Sequence, residues 1–343
     1  MRMLTRLHLY YLLRIALQCP LTDCPEPDFE ALRAEDWKQL QKIARSQTVS
    51  GLIYAGAAAL PAARKMPEEA STSLMMEAEA IARLSKKVGK TAEELLHGLS
   101  GAGLHPVLMK GPDVARFYPE PELRTSGDID LMLPGEEAAL AAQWFRERGQ
   151  SVHPTPDGSF TSTFNGIQTD VHRHYFDLHC KPEFLPEVPS PEANLLMLSA
   201  HILKHAMGPG VGLRQICDMA MALRGLQNRY DRERFLTYLR RTGTLRWTRL
   251  LFSFIKSRLG IDSGLFRDEC SPSELSRLEE IVFSGGNFGH HDRSRKKIMA
   301  EASATRRKAD TFSRMVRRAP FALKYAPREY LLRIVSLAKG NLK

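Results

Sequence analysis

The chain has 343 residues, enough for about two domains, and its 43% hydrophobic and 26% charged residues are close to globular averages. These proportions exclude wholesale disorder and fibrous classes, and no apolar run approaches the ~20 residues of a membrane-spanning helix. Residues 9–17 include Arg14 and lack a small-residue cleavage site, so we predict an amphipathic helix and not a signal peptide. The five cysteines form no Cys-x-x-Cys pair, so we expect neither a disulfide framework nor a cysteine zinc site, and a reducing cytoplasm fits best.

The net charge of +10 is concentrated near the C-terminus. Residues 291–343 contain 15 Lys/Arg and 4 acidic residues, whereas the other 290 residues have a net charge of −1. Such a segment favours contact with a polyanion such as nucleic acid, anionic lipid or an acidic partner. Because few aromatic residues are interleaved with the basic ones, a solvated cationic helix is an equally good interpretation.

The residue patterns predict a small α/β unit between two helical blocks. Residues 66–99 are rich in helix formers, and from residue 191 onward the pattern is helical again. A hairpin turn is predicted at Asn165-Gly166, a loop at 284–292, and interruptions of the C-terminal helices near Pro320 and Pro327. The predicted strands are 105–110, 127–133, 159–165 and 167–172, and the other predicted helices are 113–118, 135–148, 191–207, 213–226, 231–242, 244–259 and 272–284.

Two carboxylates in the second predicted strand indicate a site for phosphoryl-group chemistry. Asp128 and Asp130 are two apart, so both side chains project from the same face of the strand. Their mutual repulsion is commonly relieved by a divalent cation, and Mg²⁺ prefers such oxygen ligands together with substrate phosphates. If the strand containing Asp170 pairs beside the first, three carboxylates converge, and such a cluster can hold two metal ions ~4 Å apart.

A phosphate site is predicted where the strand before these carboxylates ends. Lys110-Gly111 follows an apolar strand and precedes a short predicted helix, whose free N–H groups favour an anion. Lys110 and Arg124 could add cationic contacts, and Ser126 could contact phosphate or simply end a turn. No P-loop, Rossmann or nucleophile-elbow motif is present in the sequence.

The segment 108–133 resembles the signature of an uncharacterised bacterial nucleotidyltransferase family within the polymerase-β-like superfamily. That signature has a strand ending in Lys-Gly, a helix, a Tyr-Pro turn and then Arg followed by Asp-Ile-Asp-Leu, which here are Lys110-Gly111, Tyr118, Arg124 and residues 128–131. The looser matches are Thr169-Asp-Val-His, His201-x-x-Lys-His and Leu213-Arg-Gln-Ile-Cys-Asp. The resemblance covers about residues 50–230 and does not include the basic C-terminal segment.

The resemblance implies an α+β fold, in which a small mixed β-sheet nucleotidyltransferase core is flanked by N-terminal and C-terminal helical blocks. We predict an N-terminal helical region at 1–100, the core at 101–190, a helical domain at 191–285 and a basic C-terminal helical segment at 286–343. The implied activity is the Mg²⁺-dependent transfer of a nucleoside monophosphate from a nucleoside triphosphate to an unidentified hydroxyl or phosphate, with release of pyrophosphate. Mn²⁺ is expected to substitute for Mg²⁺.

The resemblance also implies roles for individual residues. Asp128, Asp130 and Asp170 are the expected metal ligands and catalytic carboxylates, with Asp170 the base or activator of the acceptor hydroxyl. Lys110 and Gly111 stand where the wider superfamily has a Gly-Ser pair that grips the triphosphate. The predicted nucleotide-binding residues are Lys110, Gly111, Arg124, Ser126 and Gly127, and the predicted further substrate contacts are His172, His201, Lys204, His205, Arg214 and Asp218.

Several of these residues have plainer interpretations. His201 and His205 lie one helical turn apart and could bind zinc, contact substrate or pack within the helix. His172 could orient Asp170 or the substrate, or be an ordinary strand histidine. Arg214 and Asp218 could form an ion pair on a helix surface.

Two other functions remain open at this level. The chain could be a catalytically weak module that binds nucleotide or nucleic acid with the help of its basic segment, or an interaction protein that acts through its helical blocks. The first predicts salt-sensitive binding of polyanions, and the second predicts no Mg²⁺-dependent binding of nucleoside triphosphates.

Overall fold

The structure is a computed structural model that describes residues 3–61, 66–208, 210–285 and 304–338. Four helices precede the sheet and seven follow it, counted within these ranges, with two further helices among the strands. The predicted α+β class is confirmed. The helices are α1 (Met3–Ala16), α2 (Ala34–Ser46), α3 (Ser50–Ala58), α4 (Glu68–Gly101), α5 (Gly111–Ala115), α6 (Glu137–Glu147), α7 (Pro191–Met207), α8 (Leu213–Leu226), α9 (Arg232–Thr242), α10 (Leu245–Leu259), α11 (Pro272–Gly285), α12 (Ala304–Tyr325) and α13 (Pro327–Ala338).

A five-stranded mixed sheet forms the α/β unit. Its strands lie in the order β1-β2-β5-β4-β3, with β2 and β5 parallel and every other pair antiparallel. The four predicted strands are all present, and the two-residue β3 was not predicted because so short a segment has no periodicity. The strands are β1 (Val107–Met109), β2 (Asp128–Met132), β3 (His153–Pro154), β4 (Phe160–Phe164) and β5 (Ile167–His172).

The two faces of β2 and β5 have opposite character. Ile129, Leu131 and Val171 are fully buried in a core that the sheet shares with α6 and the C-terminal half of α4. Residues of the other parity in each strand, including the three aspartates, face the helices of the second half of the chain. Alternation along the strands therefore points the carboxylates away from one apolar core and toward a cavity beside the other.

The larger core joins both ends of the chain. Side chains from α1–α3 pack in the same buried cluster as those from α7–α13. Helix α1 covers most of the predicted amphipathic helix at 9–17, and it is buried on almost every side. Arg14 is tolerated there because its guanidinium donates to the carbonyls of Pro20, Ser257 and Arg258 and to Asp23.

The basic C-terminal helices belong to this core. Phe321, Tyr325 and Tyr330 are buried, and the carboxylate of Glu329 accepts hydrogen bonds from the backbone and ring of His179. The predicted break near Pro320 is wrong, because α12 continues through that residue, whereas the break before Pro327 is confirmed. Pro320 is exposed, so solvent can satisfy the carbonyl it leaves without a donor.

Other sequence predictions fall partly outside the described residues. Residues 286–292 of the predicted loop at 284–292 lie outside the described residues. The same is true of 291–303 and 339–343 in the predicted polyanion-binding segment. The four domain boundaries stay a prediction. All five cysteines are free thiols. Within the described part of the chain, no helix is both long and apolar enough to cross a membrane.

Candidate active site

Three aspartates from two parallel strands meet at one cavity. Asp128 and Asp130 share a face of β2, and the β2–β5 register sets Asp130 directly beside Asp170. The cavity has a volume of about 220 Å³ and lies between this sheet face and helices α7 and α8. Its lining includes ten of the residues predicted from sequence: Lys110, Gly111, Arg124, Asp128, Asp130, Asp170, His172, His201, Arg214 and Asp218.

The pKa values of two of the carboxylates are raised, so their charged forms are disfavoured. Burial raises the pKa of Asp128, and the neighbouring charges of Asp130 and Asp170 raise it further. Burial also raises the pKa of Asp170, against a hydrogen bond that its Oδ1 accepts from Gln168. A carboxylate with a raised pKa is better able to take a proton near neutral pH, which is what a general base requires.

Asp130 is stabilised as an anion by two neighbours. Burial acts to raise its pKa, but Lys110 and a hydrogen bond from His172 outweigh burial and hold the pKa well below its usual range. Lys110 Nζ lies 2.8 Å and His172 Nε2 2.7 Å from Asp130 Oδ1. The sequence interpretation in which His172 orients Asp170 is therefore wrong: its ring contacts Asp130, because the residue lies one pleat beyond Asp170.

Lys110 reaches Asp130 from a backbone conformation that few residues adopt. The residue lies at the junction of β1 and α5 and has a φ of 50° and a ψ of −121°. Strain of this kind in a non-glycine residue costs on the order of 1–3 kcal/mol and is concentrated at functional sites. The predicted helix at 113–118 instead begins at Gly111 and ends at Ala115, directly after this strained residue.

A buried ion pair joins the loop before β2 to helix α8. Arg124 is 3% exposed and binds both carboxylate oxygens of Asp218, at 2.7 and 2.8 Å. The same guanidinium donates to Ser126 Oγ, and Tyr118 donates its hydroxyl proton to Asp218. Asp218 is thus buried and bound by Arg124, which corrects the predicted ion pair with Arg214 on a helix surface.

Through this pairing, Arg124 and Ser126 hold the loop that enters β2. The Arg214 guanidinium also supports the loop, because it donates to the carbonyl of Thr125 at 3.1 Å. Gly127 completes the loop and is exposed. Direct contact between these residues and a nucleotide stays a prediction.

Helix α7 contributes a second polar cluster, centred on a residue that the sequence did not reveal. The Asp177 carboxylate accepts from Lys204 Nζ at 2.7 Å and lies 3.1 Å from His201 Nδ1. The ring of His205 lies edge-on to that of His201, with 4.5 Å between the centroids. Burial lowers the pKa of His201 to about 4. Asp177 follows β5 in an irregular segment and is 24 residues from its nearest partner, so no spacing in the sequence signals it.

The donor chemistry of the site fits Mg²⁺. Three carboxylates supply the oxygen ligands that this ion prefers, and a cation relieves the repulsion that raises the pKa of Asp128. Among the residues that the structure describes, however, no three His, Cys, Asp or Glu side chains are gathered so as to hold a metal by themselves. Mg²⁺ commonly takes only one or two carboxylates and completes its ligands with water and substrate phosphates. Asp128 and Asp130 are the residues that would hold it.

A mixed sheet that turns carboxylates from two parallel strands into a cavity is the arrangement expected of an enzyme that transfers phosphoryl-type groups. The family described as uncharacterised nucleotidyltransferase matches residues 33–260, from the start of α2 to the end of α10. The chain belongs to this nucleotidyltransferase family, as the resemblance in the sequence predicted. No curated protein and no solved structure matches the chain.

Proposed function

We propose that the protein transfers a nucleoside monophosphate from a nucleoside triphosphate to an acceptor hydroxyl and releases pyrophosphate. The observation that carries the proposal is the pairing of Asp130 with Asp170 in adjacent parallel strands, with Asp128 on the same face and all three in one cavity. Membership of a nucleotidyltransferase family supports this class of reaction.

The charges around the cavity support binding of the triphosphate there. Arg214 lines it beside the carboxylates, and a cation of this kind neutralises the phosphate charge that shifts during transfer. A divalent cation bound by Asp128 and Asp130 would further neutralise the triphosphate and orient its α-phosphorus. Two such ions, and Asp170 as a ligand to one of them, are part of the same proposal.

The proposed reaction needs one base. Asp170 accepts the proton of the acceptor hydroxyl as the oxygen attacks the α-phosphorus. A new phosphorus–oxygen bond forms, and the bond between the α-phosphorus and the bridging oxygen of the β-phosphate breaks, so pyrophosphate leaves. Asp170 lines the same cavity as Asp128 and Asp130, which suits this role, and holding both substrates in line supplies much of the rate.

Transfer of label distinguishes this reaction from other uses of a triphosphate. The protein is incubated with Mg²⁺ and an extract of its source cells, in parallel with α-³²P- and γ-³²P-labelled nucleoside triphosphates. We expect the α label to appear in a new product and the γ label to appear only in pyrophosphate. Transfer of the γ label to a product would identify a kinase and refute the proposal.

The variant Asp128→Asn ties that activity to the cavity. We expect transfer to fall by at least about 100-fold, because the amide cannot replace a charged ligand at the reacting phosphate. The melting temperature at pH 7 should not fall, because the variant removes a charge that burial and Asp130 disfavour in the folded state. Asp268→Asn, at an exposed position outside the site, is the matched control. Full activity in Asp128→Asn would place the reaction elsewhere.

A further inference from the structure

A second cavity, of about 240 Å³, is also lined by Asp170. Its walls come from the β3–β4 turn, strand β4, the end of β5 and the segment after β5. The two cavities share Lys110, Asp170 and His172. Asp170 therefore borders both of them, so groups bound in the two cavities would meet beside its carboxylate.

The walls of this second cavity combine one aromatic ring with hydroxyl and carboxylate groups. Phe176 provides apolar surface, and Thr155 and Thr161 provide hydroxyl-bearing side chains. Thr161 lies directly opposite Asp170 in the β4–β5 register, so their side chains are neighbours on one sheet face. Ten of its fourteen described lining residues are polar or charged, so the walls offer hydrogen-bond donors and acceptors to a ligand rich in hydroxyl groups.

The charges in the second cavity disfavour a phosphorylated ligand. Apart from histidine, the cations among its described lining residues are two lysines. Each lysine is already bound to a carboxylate at 2.7–2.8 Å, Lys110 to Asp130 and Lys204 to Asp177. Asp157, Asp170 and Asp177 add three carboxylates to the same lining. An anionic acceptor would meet this charge without a lysine available to pair with it.

We propose that the second cavity is the acceptor subsite and that it takes an uncharged polyhydroxylated small molecule of the sugar class. This inference rests on the proposed function and adds the chemistry of its second substrate. The hydroxyl that reacts lies against Asp170, with nucleotide on one side of the carboxylate and acceptor on the other. Its proton passes to Asp170, its oxygen bonds to the α-phosphorus, and pyrophosphate leaves.

The first test measures the charge of the acceptor without needing its name. The product labelled from α-³²P-triphosphate and the low-mass fraction of the extract is purified and cleaved with phosphodiesterase, and the released acceptor is passed over an anion exchanger. We expect the acceptor to flow through and its mass to match a polyol. An acceptor retained as a phosphorylated compound, or one that proves to be an RNA end, overturns the subsite proposal.

The second test fills the cavity. Thr161→Trp is expected to lower transfer to that acceptor by about 100-fold, a loss typical of displaced substrates, and to leave the affinity for a fluorescent triphosphate analogue unchanged. Thr163→Trp is the control, because Thr163 lies on the same face of β4, is exposed and does not line the cavity. Unchanged transfer in Thr161→Trp overturns the proposal.

A milder variant guards against misfolding. Thr161→Val keeps the shape of the side chain and removes its hydroxyl, so the KM for the acceptor should rise while the KM for the triphosphate stays constant. An acceptor KM equal to that of the wild type overturns the assignment of Thr161. Failure of the wild-type protein to bind the triphosphate analogue at all would refute the proposed function itself, which separates the two failures.

Discussion

At the scale of single residues, Asp130 joins the proposed metal site to the hydrogen bonds of the cavity. Its carboxylate is charged in the folded protein because Lys110 and His172 bind it, and the same carboxylate is a proposed metal ligand. In the free protein, Lys110 thus neutralises the charge of the Asp130 carboxylate, which a divalent cation would neutralise in the substrate complex. Lys110 makes this contact from a backbone conformation with positive φ.

The buried histidine of α7 predicts a pH dependence of stability. The folded-state pKa of His201 is about 4, chiefly through burial and then through Lys110, whereas an unfolded histidine titrates near 6.5. Protons therefore bind the unfolded chain first, and stability present above pH 6.5 is lost as the pH falls from 6.5 toward 4. We expect His201→Gln to avoid roughly 3 kcal/mol of this loss, as measured by urea unfolding at pH 7.5 and 4.5.

The exposed His97 provides the control for that experiment. His97→Gln should keep the acid-induced loss of the wild type, because its ring stays in solvent. Asp177, Lys110, Lys204 and His205 surround His201 and stay unchanged in both variants. Equal acid sensitivity of His201→Gln and the wild type would contradict the prediction.

The ion pair between Arg124 and Asp218 predicts a second effect on stability. Arg124→Met leaves a buried carboxylate without its main partner, so we expect the free energy of unfolding to fall by about 3 kcal/mol or more. Arg124→Met combined with Asp218→Leu should be less destabilised than Arg124→Met alone, because no orphaned charge remains. Chemical denaturation of the two variants measures this difference.

An exposed pair serves as the comparison. Arg83 and Glu79 face solvent on α4, so Arg83→Met should change stability by no more than about 0.5 kcal/mol. A double variant at 124 and 218 that is less stable than the single variant would show that the pair does not act mainly by compensating buried charge.

At the scale of elements, a tight hairpin sets the register that assembles the site. Asn165 and Gly166 both have positive φ, 49° and 75°, as a two-residue turn between twisted strands requires. The turn fixes β4 against β5, which in turn places Asp170 opposite Thr161 and beside Asp130. A slip of one residue would move Asp170 to the apolar face of the sheet.

This turn predicts contrasting effects of two glycine substitutions. Gly166→Ala should lower the free energy of unfolding by about 1 kcal/mol, because a β-carbon disfavours its left-handed conformation. Gly89→Ala, in the middle of α4 with open space around the new β-carbon, should raise it by up to about 1 kcal/mol. Thermal and urea unfolding check both values. A neutral Gly166→Ala would mean that the turn adopts another conformation in solution.

At the scale of the whole molecule, one apolar core holds the two ends of the chain together. The basic C-terminal helices contribute buried aromatic residues to a cluster that also contains α1–α3. Among their cations with described side chains, Arg317, Lys324 and Arg328 are exposed and Arg333 is buried. Deletion of 291–343 would therefore test folding before it tested binding of a polyanion.

Two phenylalanines of α12 separate packing from surface roles. Phe321 is 1% exposed and packs edge-on against Trp247, so Phe321→Ala should cost about 3–5 kcal/mol of stability. Phe312 is 49% exposed, and Phe312→Ala should change stability by no more than about 0.5 kcal/mol. Equal and small effects in denaturant titrations would show that α12 is not part of the core.

The sequence by itself determined the elements of this protein and the class of its chemistry. Helix bounds from residue 191 to 285 and the strands of the sheet follow from apolar periodicity and from turn residues, which are local properties. The parity of Asp128 and Asp130 in one strand is local as well, so their shared face could be predicted.

Only the tertiary structure decided which side chains pair. Asp177 binding Lys204, His172 binding Asp130, and Arg124 binding Asp218 join residues that are 27 to 94 positions apart. The continuation of α12 through Pro320 and the burial of α1 also depend on distant packing that outweighs local preference. Such contacts arise from the way in which whole helices and strands bury apolar surface. The sequence around one residue of a pair therefore carries no signal of its partner.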